Sequence, residues 1–157
     1  RFFILGEPER EYSFVDAPAT FEVNKEIFGI NDPTIVVRKY GDAWNEPFAV
    51  VYEPTSGLTD NGSVVNVDKL QKDGIFKGLC VKSIIEGKEL IQYIIIQHAT
   101  ETFKIRDIDF AGHFAIVSIV METEGCICRN GKSISVGGKV FYNADEGLGN
   151  FYVKTMK

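Results

Sequence analysis

The sequence is poor in the residues that usually announce chemistry. Its 157 residues include two histidines (His98, His113), three cysteines (Cys80, Cys126, Cys128) and one tryptophan, Trp44. An odd cysteine count leaves at least one thiol outside any disulfide within the chain, and nothing resembles a small disulfide scaffold. No apolar run approaches the roughly 18 residues of a membrane helix, so no membrane partner is expected. Positive charge is scarce as well. Seventeen Lys and Arg against 22 Asp and Glu give a net charge of −5. Such a surface repels phosphate backbones, and no basic cluster offsets it, so nucleic acid is not an expected partner. The same sign argues, more weakly, against gripping a sulfated or uronic-acid polymer unaided. The chain opens on Arg1 without a charged-then-apolar leader, as expected of a trimmed or processed chain or a piece of something longer.

Helical periodicity is also missing, because apolar residues seldom recur at three-and-four spacing over a helical length. What is present is a succession of short segments rich in Val, Ile, Phe and Tyr, which suit a pleated, half-buried surface. Strands are expected at 34–39 (TIVVRK), 48–52 (FAVVY), 64–70, 79–85, 89–97, 114–120, 126–130, 132–136 and 151–154. Turn residues fall between them. Glu86-Gly87-Lys88, Asn130-Gly131 and Gly137-Gly138 read as hairpin turns, Asn-Gly most strongly, because a type I′ turn needs positive φ at both central positions. The segment 89–97 (ELIQYIIIQ) is apolar on both faces in its middle and is expected to lie centrally. In 64–70, Asn66 and Asp68 alternate with Val65 and Val67, which predicts one wet face. Residues 1–30, interrupted by Pro8 and Pro18, read as one or two irregular opening strands and a connector. Hydrophobic content of 45% supports a sizeable core. The expectation is a single all-β domain over 1–157, an antiparallel β-sandwich.

Gly131-Lys132-Ser133 resembles the end of a phosphate loop, but five residues (CICRN) separate Gly125 from Gly131 and a strand follows. That spacing and setting fail the motif, which wants four residues between its glycines and a helix whose amides hold phosphate. Cys126 and Cys128, two apart on a strand, share a face. A structural zinc site needs four ligands, and Cys80, His98 and His113 stand isolated, so no metal or cofactor is expected. No nucleophile elbow or cysteine-protease signature occurs. Asp107 and Asp109 make an Asp-x-Asp step that reads as a solvated strand edge. His113, in AGHFAIV, follows a glycine that permits a bulge and reads as a half-buried, hydrogen-bonded side chain. The loop 40–48 (YGDAWNEPF) offers Trp44 and Tyr40 for stacking on a sugar ring, against the simpler use of Trp44 as a seal on the core.

Several segments, in order, resemble the C-terminal β-sandwich of heparinase II/III-like polysaccharide lyases. They are 47–54 (PFAVVYEP), 63–70 (SVVNVDKL), the hairpin 81–96 (VKSIIEGKELIQYIII), 110–117 (FAGHFAIV) and 127–136 with its Asn-Gly pair. The resemblance runs from about Phe48 to Tyr142, and the order of the segments carries it. His98 departs from the pattern by standing where a small polar residue is expected. The resemblance implies a bacterial, periplasmic or extracellular protein. That family's catalytic Asn, Tyr and His lie in an upstream α/α toroid and a large central sheet, and its metal lies outside this module. No catalytic residue is carried over to this chain.

The resemblance therefore implies a non-catalytic accessory sandwich of a polysaccharide lyase, partnered by an upstream catalytic domain and acidic polysaccharide. Two other readings remain. One is a free-standing carbohydrate-binding module using Trp44, flanked by Tyr40. The other is a small all-β enzyme using His113 with a carboxylate.

Overall fold

The computed structural model describes residues 1–5, 10–23, 26–40, 47–55, 62–98, 100–120, 123–144 and 147–155. Over these the chain is all-β, antiparallel and without a helix. Its strands are β1 (Phe2–Leu5), β2 (Glu11–Val23), β3 (Glu26–Arg38), β4 (Ala49–Tyr52), β5 (Val64–Lys72), β6 (Ile75–Ile85), β7 (Lys88–Ile96), β8 (Phe103–Ile105), β9 (Ile108–Val120), β10 (Thr123–Val136), β11 (Lys139–Asn143) and β12 (Gly149–Thr155). The chain forms two compact units, Arg1–Leu5 with Asn45–Lys157, and Gly6–Trp44.

In the first unit, β5 to β12 build one sheet in the order β11-β10-β9-β7-β6-β5, with β12 also on β10 and β8 also on β9. Tight turns dictate the succession. Glu86-Gly87 (φ +51° and +74°) and Gly137-Gly138 (+59° and +78°) have positive φ at both central positions, as expected from the sequence. Asp73-Gly74 (+53° and +77°) joins β5 to β6 in the same way. This Asp-Gly pair is as strong a signal as the others, and sequence reading passed over it.

The Asn130-Gly131 hairpin does not form. Strand β10 runs unbroken from Thr123 to Val136, pairing with β9 along its length. Asn130 has φ +46°, but Gly131 does not adopt positive φ, so the two residues cannot make a type I′ turn. They make a bulge instead, with register shifts against β12 between Cys128 and Gly131 and against β9 between Gly131 and Ser133.

That bulge is where the sheet folds over. Gly131 stands opposite Gly112, which has φ +145°. Below this point β9 and β10 pair with β8 and β11; above it they pair with β7 and β12. Side chains from both halves enter one buried cluster. Phe103, Ile108, Phe110, Ile134 and Val136 come from the lower half, and Tyr93, Ile95, Ala115, Val117, Cys126 and Cys128 from the upper. Leu70 and Cys80 join them from β5 and β6. The β8–β9 turn reaches the β5 edge through Arg106 Nη2, 3.7 Å from Asp68 Oδ2. The result is an antiparallel sandwich formed by one sheet turning back upon itself. Burying each of its large side chains fully contributes about 1.5–3 kcal/mol.

The other face of β5, β6 and β7 is covered by a two-stranded sheet of β1 and β4. Phe3, Leu5, Ala49 and Val51 pack on Val64, Leu79, Val81 and Ile94. Strand β7 thus lies between β6 and β9 with Tyr93 and Ile95 in one core and Ile94 against the other, as its two-sided apolar run predicted. The simple alternation expected of 64–70 is broken. A register shift between Val64 and Asn66 turns Val65 outward, leaving it 58% exposed.

The opening residues, read from sequence as one or two strands and a connector, hold β1 and then the second unit. There β2 and β3 pair in unbroken register from Glu11↔Arg38 to Val23↔Glu26. Pro18 does not interrupt β2. In a two-stranded sheet each strand is an edge, and half of its amides face outward with no ladder partner to lose.

Candidate functional site

His113 lies on β9 next to the Gly112 bulge and is half-buried. Its Nδ1 is 3.1 Å from the carbonyl oxygen of Gln97, which fixes Nδ1 as the donor. The His113 carbonyl accepts from the Gln97 amide at 2.9 Å, and the Gln97 side-chain amide donates to Glu101 O at 3.1 Å. The ring is thus oriented by the backbone of Gln97. His98 is exposed in the segment after β7.

The acidic pair separates into two roles. Asp109 faces Lys104 across the β8–β9 ladder, with Oδ2 3.7 Å from Nζ. Asp107 occupies the turn, where its carbonyl accepts from Gly137 N at 2.8 Å. Among the described residues, no group of three or more His, Cys, Asp and Glu could hold a metal ion. All three cysteines are free thiols and buried. Burial, with Cys128 alongside, pushes the Cys126 thiol up to about 12. Burial also raises the Cys80 and Cys128 thiols. A nucleophilic or metal-binding cysteine is the thiolate, and these environments oppose its formation.

Tyr40 is 68% exposed and belongs to the Gly6–Trp44 unit. Its hydroxyl donates to Glu11 Oε2 at 3.2 Å and accepts from Arg38 Nη1 at 3.4 Å. Arg38 lies 3.8 Å from Glu11, so the three form a surface cluster at the open end of the β2–β3 ribbon. The Tyr40 hydrogen bond, followed by charge attraction, raises the Arg38 guanidinium further above its ordinary value. Trp44 lies outside the described residues.

Two features escaped the sequence reading. The first is Glu53, directly after β4 and buried. Its Oε1 accepts from the Ser63 amide, from Ser63 Oγ at 2.9 Å and from Val64 N at 2.9 Å. Its Oε2 lies 3.5 Å from Arg1 Nη1, and Arg1 Nη2 donates to Val64 O at 3.1 Å. Burial pushes this carboxyl up, but those hydrogen bonds and Arg1 outweigh it and hold it below its ordinary value. Gly62 is required beside it, because a Cβ there would collide with the Glu53 carboxylate. The Glu53-Pro54 pair was visible as the end of an apolar strand; its role depends on residues ten positions away.

The second is a shallow depression of about 320 Å³ lined by Ile127, Arg129, Asn150 and Phe151. Asn150 Oδ1 accepts from Asn130 N at 3.1 Å, so the bulge in β10 also shapes this surface. Arg129 is exposed, and in register it faces Phe114 on β9. A guanidinium beside an amide and an aromatic ring can receive a carboxylate or sulfate bidentately.

A family described as the endo-acting ulvan lyase C-terminal domain matches residues 64–151. The match begins at the first residue of β5 and ends inside β12, so it follows the folded-over sheet. An endo-acting ulvan lyase of Formosa agariphila is 31% identical over 125 residues, which cover 76% of this chain and 15% of that protein. The chain therefore spans only a small part of the length of this curated relative. With more than half of its residues within the match, including β5 to β11 and the start of β12, this chain belongs to the family of endo-acting ulvan lyase C-terminal domains.

Proposed function

We propose that this chain is the non-catalytic accessory sandwich of a polysaccharide lyase acting on ulvan, supporting the catalytic region and contacting the acidic sugar chain. The observation that carries this reading is the family match over residues 64–151, which takes in β5 to β11 and the start of β12. We further place the longer protein among heparinase II/III-like lyases, with an α/α toroid upstream, in bacteria, and in the periplasm or outside the cell. The sugar contact is assigned to exposed Tyr40 together with Trp44, and to the depression at Arg129 and Asn150.

The test is incubation of the 157-residue chain with ulvan, heparan sulfate and alginate, following absorbance at the unsaturated-uronate band. The chain alone is expected to produce no rise, and a rise would defeat the non-catalytic reading. A free-standing carbohydrate-binding module is the second reading, favoured by the exposure of Tyr40. It requires glycan-array binding by the isolated chain that disappears in Trp44→Ala while the fold survives.

A further inference from the structure

Strands β1 and β4 form a ribbon that is apolar on both sides. Pairing is Phe2↔Tyr52, Phe3↔Val51, Ile4↔Val50 and Leu5↔Ala49. Alternation sends Phe3, Leu5, Ala49 and Val51 into the core and leaves Phe2, Ile4, Val50 and Tyr52 on the outer face. Phe2 and Tyr52 are each 62% exposed and Val50 50%, with the two rings 4.8 Å apart between centroids. A strand that is apolar on both faces is normally covered on both faces. Contiguous exposed apolar surface of this kind marks an interaction site.

We propose that this outer face is the seat of the catalytic region that precedes the domain in the full-length lyase. The inference rests on the accessory-domain reading above. Three observations select this occupant. Both ribbon strands come before residue 64, where the family match begins, so the ribbon lies in the part of the chain that leads into the matched sheet. Most of the Formosa relative lies outside the aligned segment, which takes up 15% of it. The face carries no charge, and its one hydrogen-bonding side-chain group is the Tyr52 hydroxyl, which suits an apolar protein surface and not an acidic sugar chain. The surface is also preformed. Glu53 ties the end of β4 to Ser63 and Val64, and Arg1 joins the same network, so docking orders little new backbone.

Hydrogen exchange on the full-length lyase and on the 157-residue chain tests this. Protection over residues 2–5 and 49–52 is expected to rise at least about tenfold in the full-length protein. Val50→Asp with Tyr52→Asp should remove that gain while the isolated variant chain keeps its melting temperature. Single Val50→Lys serves if the double variant unfolds. Equal protection in both proteins overturns the proposal. So does a full-length dimer dissociated by Val50→Asp, which would make a second copy the occupant. Protection of the isolated chain upon adding ulvan would assign the face to glycan and overturn it too. A full-length enzyme that cleaves ulvan with an unprotected ribbon refutes this inference alone. Unsaturated product from the isolated chain refutes the accessory reading instead.

Discussion

Replacing Gly112 by alanine probes the fold-over on which the sandwich depends. The residue has φ +145°, a region essentially reserved for glycine, and forcing an L side chain into it costs about 1–3 kcal/mol. Space adds a second penalty. An added Cβ would lie 2.6 Å from Gly131 Cα, 2.9 Å from Asn130 O and 2.9 Å from Phe110 Cζ. Two of those atoms are backbone, and Phe110 is fully buried, so none of them can yield cheaply. Overpacking of this kind costs typically about 1–3 kcal/mol. Together the penalties come to about 2–6 kcal/mol, a large share of the roughly 5–15 kcal/mol that holds a domain folded. For a domain of this size the melting temperature should fall by about 5–20 °C. Gly74→Ala is the internal control. It has φ +77° with nothing within 4 Å of an added Cβ, so it bears conformational strain alone. The assay is thermal unfolding by circular dichroism on both variants. The reasoning is refuted if Gly112→Ala melts no lower than Gly74→Ala, because the close approach at the bulge would then carry no weight.

Four further outcomes are expected. Because Glu53 is held below its ordinary carboxyl value, its contribution is present above that value and fades as pH falls through the lowered one. The melting-temperature gap between wild type and Glu53→Gln should therefore be widest near neutrality and narrow under acid; a gap constant with pH counts against the charge. The thiols should resist iodoacetamide at pH 8 in the folded chain and give three adducts per chain in denaturant; labelling of folded Cys126 would contradict its burial. Phe110→Ala, at a fully buried position, should cost about 3–5 kcal/mol in urea unfolding. Phe14→Ala, at a side chain 81% exposed, should stay within about 0.5 kcal/mol of wild type.

The two-residue turns show both the reach and the limit of local reading. Glu86-Gly87 and Gly137-Gly138 close hairpins because nothing beyond their flanking strands competes with the turn geometry. Asn130-Gly131 has the stronger local signal and fails. There β9, β11 and β12 together hold β10 extended, and the ladder bonds kept through a bulge outweigh one favoured turn. The sites divide in the same way. His113 was legible as a hydrogen-bonded side chain after a glycine bulge, since glycine and neighbouring apolar residues describe its setting. Glu53 was not, because its partners are Ser63, Val64 and Arg1, each brought to it by strand pairing.

Composition and periodicity alone determined that this chain is all-β and antiparallel. Alternating branched and aromatic residues with glycine punctuation suit a pleated sheet, and that preference acts within a few residues. Only the tertiary structure decided that one sheet folds back at Gly112 and Gly131, and which face of β1 and β4 remains open to a neighbour. Those outcomes follow from which distant strands meet, and the free energy of such meetings is written in no single stretch of residues.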